Sequence, residues 1–459
     1  MRENTFVLEE TMRALLDGKK YGTLRDVLVT MQPADIAILF EDLPEEKLPL
    51  LFRLLPKELA AETFVEMETD EQEMLIRGFS DAELKEIVDE LYVDDAADIV
   101  EEMPANVVKR ILRQADPETR KTINEILNYP EDSAGSIMTT EYVTLRPRQT
   151  AADAIKRIRR TGVDKETIYT CYVTMDDRKL VGYLSLKTLI LAEDDDIVAD
   201  IMGQEDLISV RTTDDQEEVA QILSRYNLVA VPVVDKEDRL VGIVTVDDAM
   251  DVMEEEATED IEKMAAIIPS TKSYIRTGVF EIWGNRIPWL LLLMVSATFT
   301  GMIISSFENA LALHVALTAF IPMLMDTAGN SGSQASVTVI RSLSLGDLEF
   351  VDLPRVLWKE LRVSVLCGLS LAAASFVKIL VVDMLLMHNE GVTIVIAAVV
   401  CIALAVTVVF AKAVGCILPM LAKKLGFDPA VMASPFITTI VDAIALLVYF
   451  EFASLIIGL

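Results

Sequence analysis

The chain has 459 residues, a mean hydropathy of +0.37 and a net charge of −32, too long and too mixed for one ordinary soluble domain. Residues 1–270 carry 30 Lys and Arg against 61 Asp and Glu, whereas residues 271–459 carry 11 against 12. An acidic first part excludes a nucleic-acid partner, which needs a basic footprint, and favours cations. The four cysteines (Cys171, Cys367, Cys401, Cys416) form no CxxC, so neither a disulfide framework nor a zinc site is implied. The start, MRENTFVLEE, has no apolar core of signal-peptide type, so the acidic part is expected in the cytosol.

Residues 1–130 read as helical throughout. A unit of about two dozen residues recurs, as PADIAILFEDLP from Pro33, PKELAAETFVEM from Pro56, SDAELKEIVDEL from Ser80 and DDAADIVEEMP from Asp94. Apolar residues fall at i, i+3, i+4 and i+7 with acids between, and Pro or Asp stands at helix starts. One such unit cannot bury its apolar face alone, so the units are expected to stack into a superhelix. Most of the acids read as its solvated outer face.

Residues 131–253 hold two copies of another pattern. The first runs from SIMTTEYVTLRPRQTAADAIKRI to DDRKLVGYLSLKTLI, the second from DIMGQEDLISVRTTDDQEEVAQIL to KEDRLVGIVTVDDAM. Each has an amphipathic helix, a β-rich run, a charged turn and a strand containing LVG. This resembles a pair of CBS domains, which implies one α/β module with a cleft for an adenine nucleotide such as ATP. Thr245 and Asp248 match the family's Thr-x-x-Asp nucleotide contacts. In the first copy Ser185 fits, but Thr188 replaces the acid, so one nucleotide site is expected rather than two.

Residues 254–275 follow as an acidic connection. EEEATEDIEKM favours a helix, and Glu254, Glu255, Glu256, Glu259, Asp260 and Glu262 crowd both of its faces. It is either a solvated spacer or a helix held in place only when cations lie between it and other acids. Glu256, Glu259 and Asp260 share one face, expected beside the second CBS copy.

Five apolar spans are expected, at about 287–307, 311–340, 363–387, 392–421 and 431–457. Arg276 and Arg286 precede the first; Arg341, Arg355, Lys359 and Arg362 follow the second; Lys423 and Lys424 follow the fourth. The loops at about 308–311 and 388–391 have no Lys or Arg. The positive-inside rule then puts the N-terminus in the cytosol and the C-terminus outside a cytoplasmic membrane.

The second span is interrupted by PMLMDTAGNSGSQAS from Pro322, whose Gly329, Asn330, Ser331, Gly332, Ser333 and Gln334 do not suit lipid. Gly329 and Gly332 also read as packing residues. The fifth span starts on GFDPAVMASPF, with Asp428 and Pro435, and carries Asp442 near its middle. Two broken helices and a mid-membrane acid suit a pore or transport site. The structural alternative is an ion pair of Asp442 with Lys412 or Lys378.

The order of these parts, with RIPWL at Arg286, FE at Phe307, P-x(6)-GNSGSQ from Pro322 and DPAVMASPFITTIVD from Asp428, resembles the MgtE magnesium channel family over essentially the whole chain. The resemblance implies a multi-domain fold. An all-α superhelix (1–130) precedes an α/β CBS pair (131–253), an acidic plug helix (254–275) and an α-helical five-span pore domain (276–459). It implies a homodimer with a pore on its two-fold axis, in which Asp442 recognises hydrated Mg²⁺. It also implies a plug held shut by Mg²⁺ between cytosolic domains. Pore and selectivity roles are expected for Asp442, Asn330, Gln334 and Asp428. Ala328 stands where the family commonly has Gly. Asn227 stands where the resemblance implies an acid that helps bind a regulatory ion.

The chemistry is consistent with this reading. Mg²⁺ prefers oxygen ligands and sheds water reluctantly, and the chain has only two histidines, His314 and His388. Regulatory metal ligands are expected on the superhelix (Asp94, Asp95, Asp98), the second CBS copy (Asp215, Glu217, Asp248, Asp251) and the linker (Glu256, Glu259, Asp260). Without a counterion these acids repel one another. The alternative is a secondary-active carrier exchanging Mg²⁺, Co²⁺ or Mn²⁺ with Na⁺ or H⁺. Two further readings fit less well. An intramembrane aspartyl protease using Asp326 and Asp442 lacks the GxGD signature, and a nucleotide-sensing adaptor would not need polar, Pro-broken spans.

Overall fold

The structure is a computed structural model describing residues 2–458, apart from positions 42, 164, 205–206, 271–273, 275–276, 390 and 433. Arg276, counted above for orientation, lies outside the described residues. Two compact units divide the chain, Met1–Met253 and Glu254–Leu459.

In the first unit the described residues before 127 form ten α-helices, α1 (Arg2–Asp17) to α10 (Pro117–Ile126). The repeated segments become α3 (Pro33–Glu41), α5 (Lys57–Val65), α7 (Asp81–Val88) and α8 (Val93–Glu102). Local chemistry starts them: Ser80 and Glu83 form a reciprocal capping box on α7, and Asp116 caps α10 from just before Pro117. Alternate helices stack, α3 on α5, α5 on α7, and α7 on α9 (Ala105–Gln114). Their apolar stripes merge into one core in which Phe52, Phe64 and Phe79 meet with ring centroids 5.4–6.5 Å apart. Arg110 fastens neighbouring units by donating to the Ile76 and Phe79 carbonyls and to Asp81 at 3.2 Å. Phe64→Ala should cost about 3–5 kcal/mol of unfolding free energy, read as an earlier unfolding transition, because Phe64 is fully enclosed by this stack.

Two three-stranded sheets follow, β1 (Thr144–Leu145), β2 (Thr170–Thr174) and β3 (Leu180–Ser185), then β4 (Val210–Arg211), β5 (Ala230–Val234) and β6 (Leu240–Thr245). In each, a parallel pair is followed by an antiparallel pair, and the register slips at the same place, Val173/Thr174 and Val233/Val234. The duplication read from the sequence thus extends to the bulge. Tyr172 packs with Ala230, Leu240 and Ile243 where the copies meet. Helix α11 (Ala151–Thr161) precedes β2, and α14 (Gln216–Tyr226) precedes β5. Asn227 ends α14 in the left-handed conformation (φ 51°), which Asn tolerates better than most residues. Helix α15 (Val246–Met264) begins at the end of β6 and runs through the acidic connection. That connection is therefore not a separate helix starting near residue 254.

The second unit contains α16 (Val279–Ser306), the short α17 (Glu308–Leu313), α18 (Ile321–Ser344), α19 (Leu353–Lys378), α20 (Ile394–Lys424) and α21 (Ser434–Ala453). α19 and α21 are extended by π-helical turns to Leu386 and Gly458. Among the described residues, four helices are long and apolar enough to cross a membrane, in the segments Val279–Ser306, Phe350–Leu386, Ile394–Lys424 and Pro429–Ile457. The remaining expected span, α18, has 24 residues, but its polar stretch keeps it outside that group.

The expected break in the second span is corrected. α18 is continuous through GNSGSQ, and the irregular backbone lies before it, in the 3₁₀ segment Val315–Phe320. The polar side chains bond within the helix: Asn330 donates to Asp326, Thr338 to the Gln334 carbonyl and Ser342 to the Thr338 carbonyl. Neighbouring helices come close at the glycines. A Cβ on Gly415 of α20 would lie 2.3 Å from the Gly332 carbonyl oxygen. Gly415→Ala is expected to part α18 from α20 and lower stability by about 1–3 kcal/mol, seen as a lower thermal midpoint in detergent.

Candidate functional site

Asp442 lies on α21, one turn after Thr438, and both face α18 at Gly329. A Cβ on Gly329 would come within 3.0 Å of the Thr438 methyl and 3.7 Å of Asp442 Oδ1. The missing side chain at Gly329 therefore brings the carboxylate to the backbone of the polar stretch. Asp442 is half-buried and has no hydrogen bond or ion pair among the described residues. The two lysines offered as partners are engaged elsewhere. Lys412 reaches Glu360 at 3.4 Å, and Lys378 reaches Asp383 at 2.8 Å and lies over the Phe320 ring. Asp326 is a like-charged neighbour. Among the described residues Asp442 therefore has no counter-charge.

Asp326 accepts from the Asn330 amide at 3.2 Å. Asp326, Asn330 and Gln334 line one side of a cavity of about 530 Å³ between α18 and α19, whose other wall is Leu366, Cys367, Ser370 and Leu371. Two of the residues expected at the pore, Asn330 and Gln334, thus line one cavity, while Asp442 lies on the neighbouring α18–α21 contact. Ala328 is fully buried among Ala411, Ile437, Val441 and Ala445, so its methyl is a packing element. Asp428 lies away from these residues in sequence and in bonding. It accepts from the Ala430 amide at 2.7 Å, capping the 3₁₀ turn Pro429–Met432, and pairs with Lys263 at 2.7 Å.

The linker acids differ from expectation in their partners. Asp260 accepts from the Ser344 hydroxyl at 2.9 Å, and Glu259 pairs with Lys263 at 2.6 Å. Both contacts lie within the second unit. Glu256 also has a partner.

In the first unit α8 opens on Asp94 and Asp95, with Glu141, Glu166 and Asp248 as like-charged neighbours. Asp94 is 5% exposed, and among the described residues neither its Oδ1 nor Glu166 Oε2 has a hydrogen-bond partner. Burial, then the neighbouring Glu166 and Asp95, holds the Asp94 carboxyl well above the usual range. Burial and Asp248 push Asp95 up to about 7 and Glu166 up to about 8. Burial also raises Asp248, although Thr245 opposes the shift by donating its hydroxyl to Asp248 at 2.5 Å. Nearby, burial and Asp251 raise Glu66.

Unpartnered carboxylate oxygens among like charges fit a cation. Among the described residues, however, no three His, Cys, Asp or Glu side chains are grouped closely enough to clasp a bare metal ion.

Of the predicted regulatory acids, Asp94, Asp95 and Asp248 are brought together. Asp215 caps α14 by accepting from the Glu217 amide at 2.9 Å, and Glu217 and Asp98 have other partners. Sequence reasoning missed Glu141, Glu166, Asp247 and Glu66. Glu166 lies in the irregular connection between α11 and β2, where no periodicity marks it. Lys263 was also missed, although its i, i+4 spacing from Glu259 was a usable signal.

Comparison with known proteins agrees with this layout. The MgtE family, described as a divalent cation transporter, matches residues 321–452. The MgtE intracellular N domain matches 31–132, and CBS domains match 134–195 and 198–255. The magnesium transporter MgtE of Thermus thermophilus is 38% identical over 94% of this chain and 94% of its own length. That of Bacillus subtilis is 34% identical over 96% and 95%. The crystal structure of the cytosolic domain of the Mg²⁺ channel MgtE in complex with ATP is 38% identical. It aligns with 53% of this chain and 99% of its own, with a TM-score of 0.51.

Proposed function

The chain belongs to the MgtE family of divalent cation transporters, and from that premise we propose that it is a Mg²⁺-selective channel of the cytoplasmic membrane, closed by cytosolic Mg²⁺. The observation that carries the proposal is Asp442, a carboxylate on an apolar helix with no cationic partner among the described residues, held against Gly329 of the polar helix. In a homodimer, two copies of Asp442 would form a small acidic ring for a hydrated divalent ion, with Asn330 and Gln334 offering oxygens to its waters. The acidic part would lie in the cytosol and the C-terminus outside, following the distribution of Lys and Arg.

Closure is assigned to the acids of the first unit and α15. Mg²⁺ among Asp94, Asp95, Glu166 and Asp248 would relieve their repulsion and favour the compact state. Asp98, Asp215, Glu217, Asp251, Glu256, Glu259 and Asp260 remain proposed contributors. A nucleotide such as ATP is proposed at Thr245 and Asp248, supported by the ATP-bound relative. Asp248 would then serve both the nucleotide and the acid pocket.

The test uses the purified protein in planar bilayers or liposomes. Mg²⁺ current that persists without a Na⁺ or H⁺ gradient, and falls as Mg²⁺ rises on the cytosolic side, is expected. Uptake that stops when the counter-ion gradient is removed would favour the carrier. The same preparation, titrated with Mn²⁺ and Co²⁺, ranks the other divalent ions.

A further inference from the structure

We propose that Lys263 is a tethered cation that latches the end of α15 onto the membrane unit, so that the shut arrangement has a built-in counter-charge before any divalent ion arrives. The Lys263 ammonium lies between two carboxylates, Glu259 at 2.6 Å on its own helix and Asp428 at 2.7 Å on the turn leading into α21. The flanking contacts converge on the same place. Asp260 accepts from Ser344 at the last turn of α18, and Met264 packs on Ile340 and Ala430. Beyond it, Glu262 accepts from the Ser270 amide, and the Ile268 amide donates to the Asn285 carbonyl of α16. Residues 259–268 are thus tied to α16, to α18 and to the turn before α21, and Lys263 is the cation in the contact.

A single lysine bridging two acids does electrostatically what a divalent ion between them would do. It differs in two respects: it is always present, and it leaves when its own helix moves. Without Lys263, Glu259, Asp260 and Asp428 would face one another unscreened, and the helix end would need a divalent ion to remain seated. Lys263 is therefore a positioning residue, acting through α15 rather than on the permeating ion.

This inference rests on the gating reading above, and its test separates the two. The full-length protein is compared with Lys263→Met and Lys263→Arg by amide hydrogen exchange over residues 258–268 without divalent ions. The same variants are then assayed for Mg²⁺ current against cytosolic Mg²⁺. Lys263→Met is expected to exchange about five- to tenfold faster in this segment and to need about five- to tenfold more Mg²⁺ for half-closure, with Lys263→Arg restoring both. Equal exchange in the wild type and Lys263→Met overturns the latch, whatever the currents do. Faster exchange with an unchanged closing concentration overturns the assignment of gating to this contact while leaving the ion pair intact. Failure of Lys263→Arg to rescue an otherwise affected Lys263→Met overturns the charge-based account.

Discussion

Asp442→Asn is expected to fold and to lose Mg²⁺ flux by about two orders of magnitude. A divalent ion about 6 Å from one carboxylate in a water-like medium gains about 1.4 kcal/mol, or about tenfold, and two copies across the proposed dimer double that free energy. The substitution keeps the shape beside Gly329 and Thr438 and removes only the charge. Because no lysine pairs with Asp442, no cation is orphaned, and the usual penalty for breaking a buried ion pair does not arise. Flux in proteoliposomes and a size-exclusion profile measure the two halves of the result. Wild-type flux from Asp442→Asn would remove this carboxylate from the ion path. A folded variant with intact cation binding at other sites would confine the defect to permeation.

The second large effect is expected in the acidic pocket of the first unit. Asp95 and Glu166 titrate near 7 and 8 in the folded chain instead of 3.8 and 4.5. The folded state therefore holds their protons more tightly than the unfolded chain does. Stability from this source is fully present below about pH 4 and is lost as the pH rises through about 7 to 8. Without divalent ions, moving from pH 8 to pH 5 should stabilise this unit by about 2–4 kcal/mol, less than the sum of the individual shifts because the groups titrate together.

Saturating Mg²⁺ should remove most of that dependence by supplying the positive charge that protons otherwise supply. Asp94→Asn should raise stability at pH 8 without divalent ions, since Asp94 is buried with an unpartnered oxygen. Hydrogen exchange of peptides around residues 93–98 and 164–168 in the intact protein reads this directly. Stability that is flat across the pH range, or that rises with pH, would mean the pocket is already neutralised and would undercut its regulatory role.

Whatever is repeated or periodic was legible in the amino-acid order. Helical periodicity marked α3, α5, α7 and α8. The doubled LVG pattern marked β3 and β6 and the sheets around them, because local pattern and turn chemistry dictate element type. Runs of apolar residues located four of the expected spans, and the solitary acid at 442 stood out because charge in such a run is costly. The tertiary structure alone decided which charges meet. Whether Asp442 pairs with Lys412 or Lys378 depends on how α19, α20 and α21 turn against one another, and the packing directs those lysines to Glu360 and Asp383.

The continuity of α18 was likewise invisible locally, since GNSGSQ reads as a break. It is helical because Gly329 and Gly332 let α20 and α21 come close enough for packing to outweigh propensity. Glu166 joins Asp94 only through folding, across a separation that no sequence period connects. Lys263 was one cation among many acids until Asp428 was brought to it by the turn before α21. Helix and strand type are properties of short segments, whereas electrostatic partnership is a property of distances that only the folded chain sets.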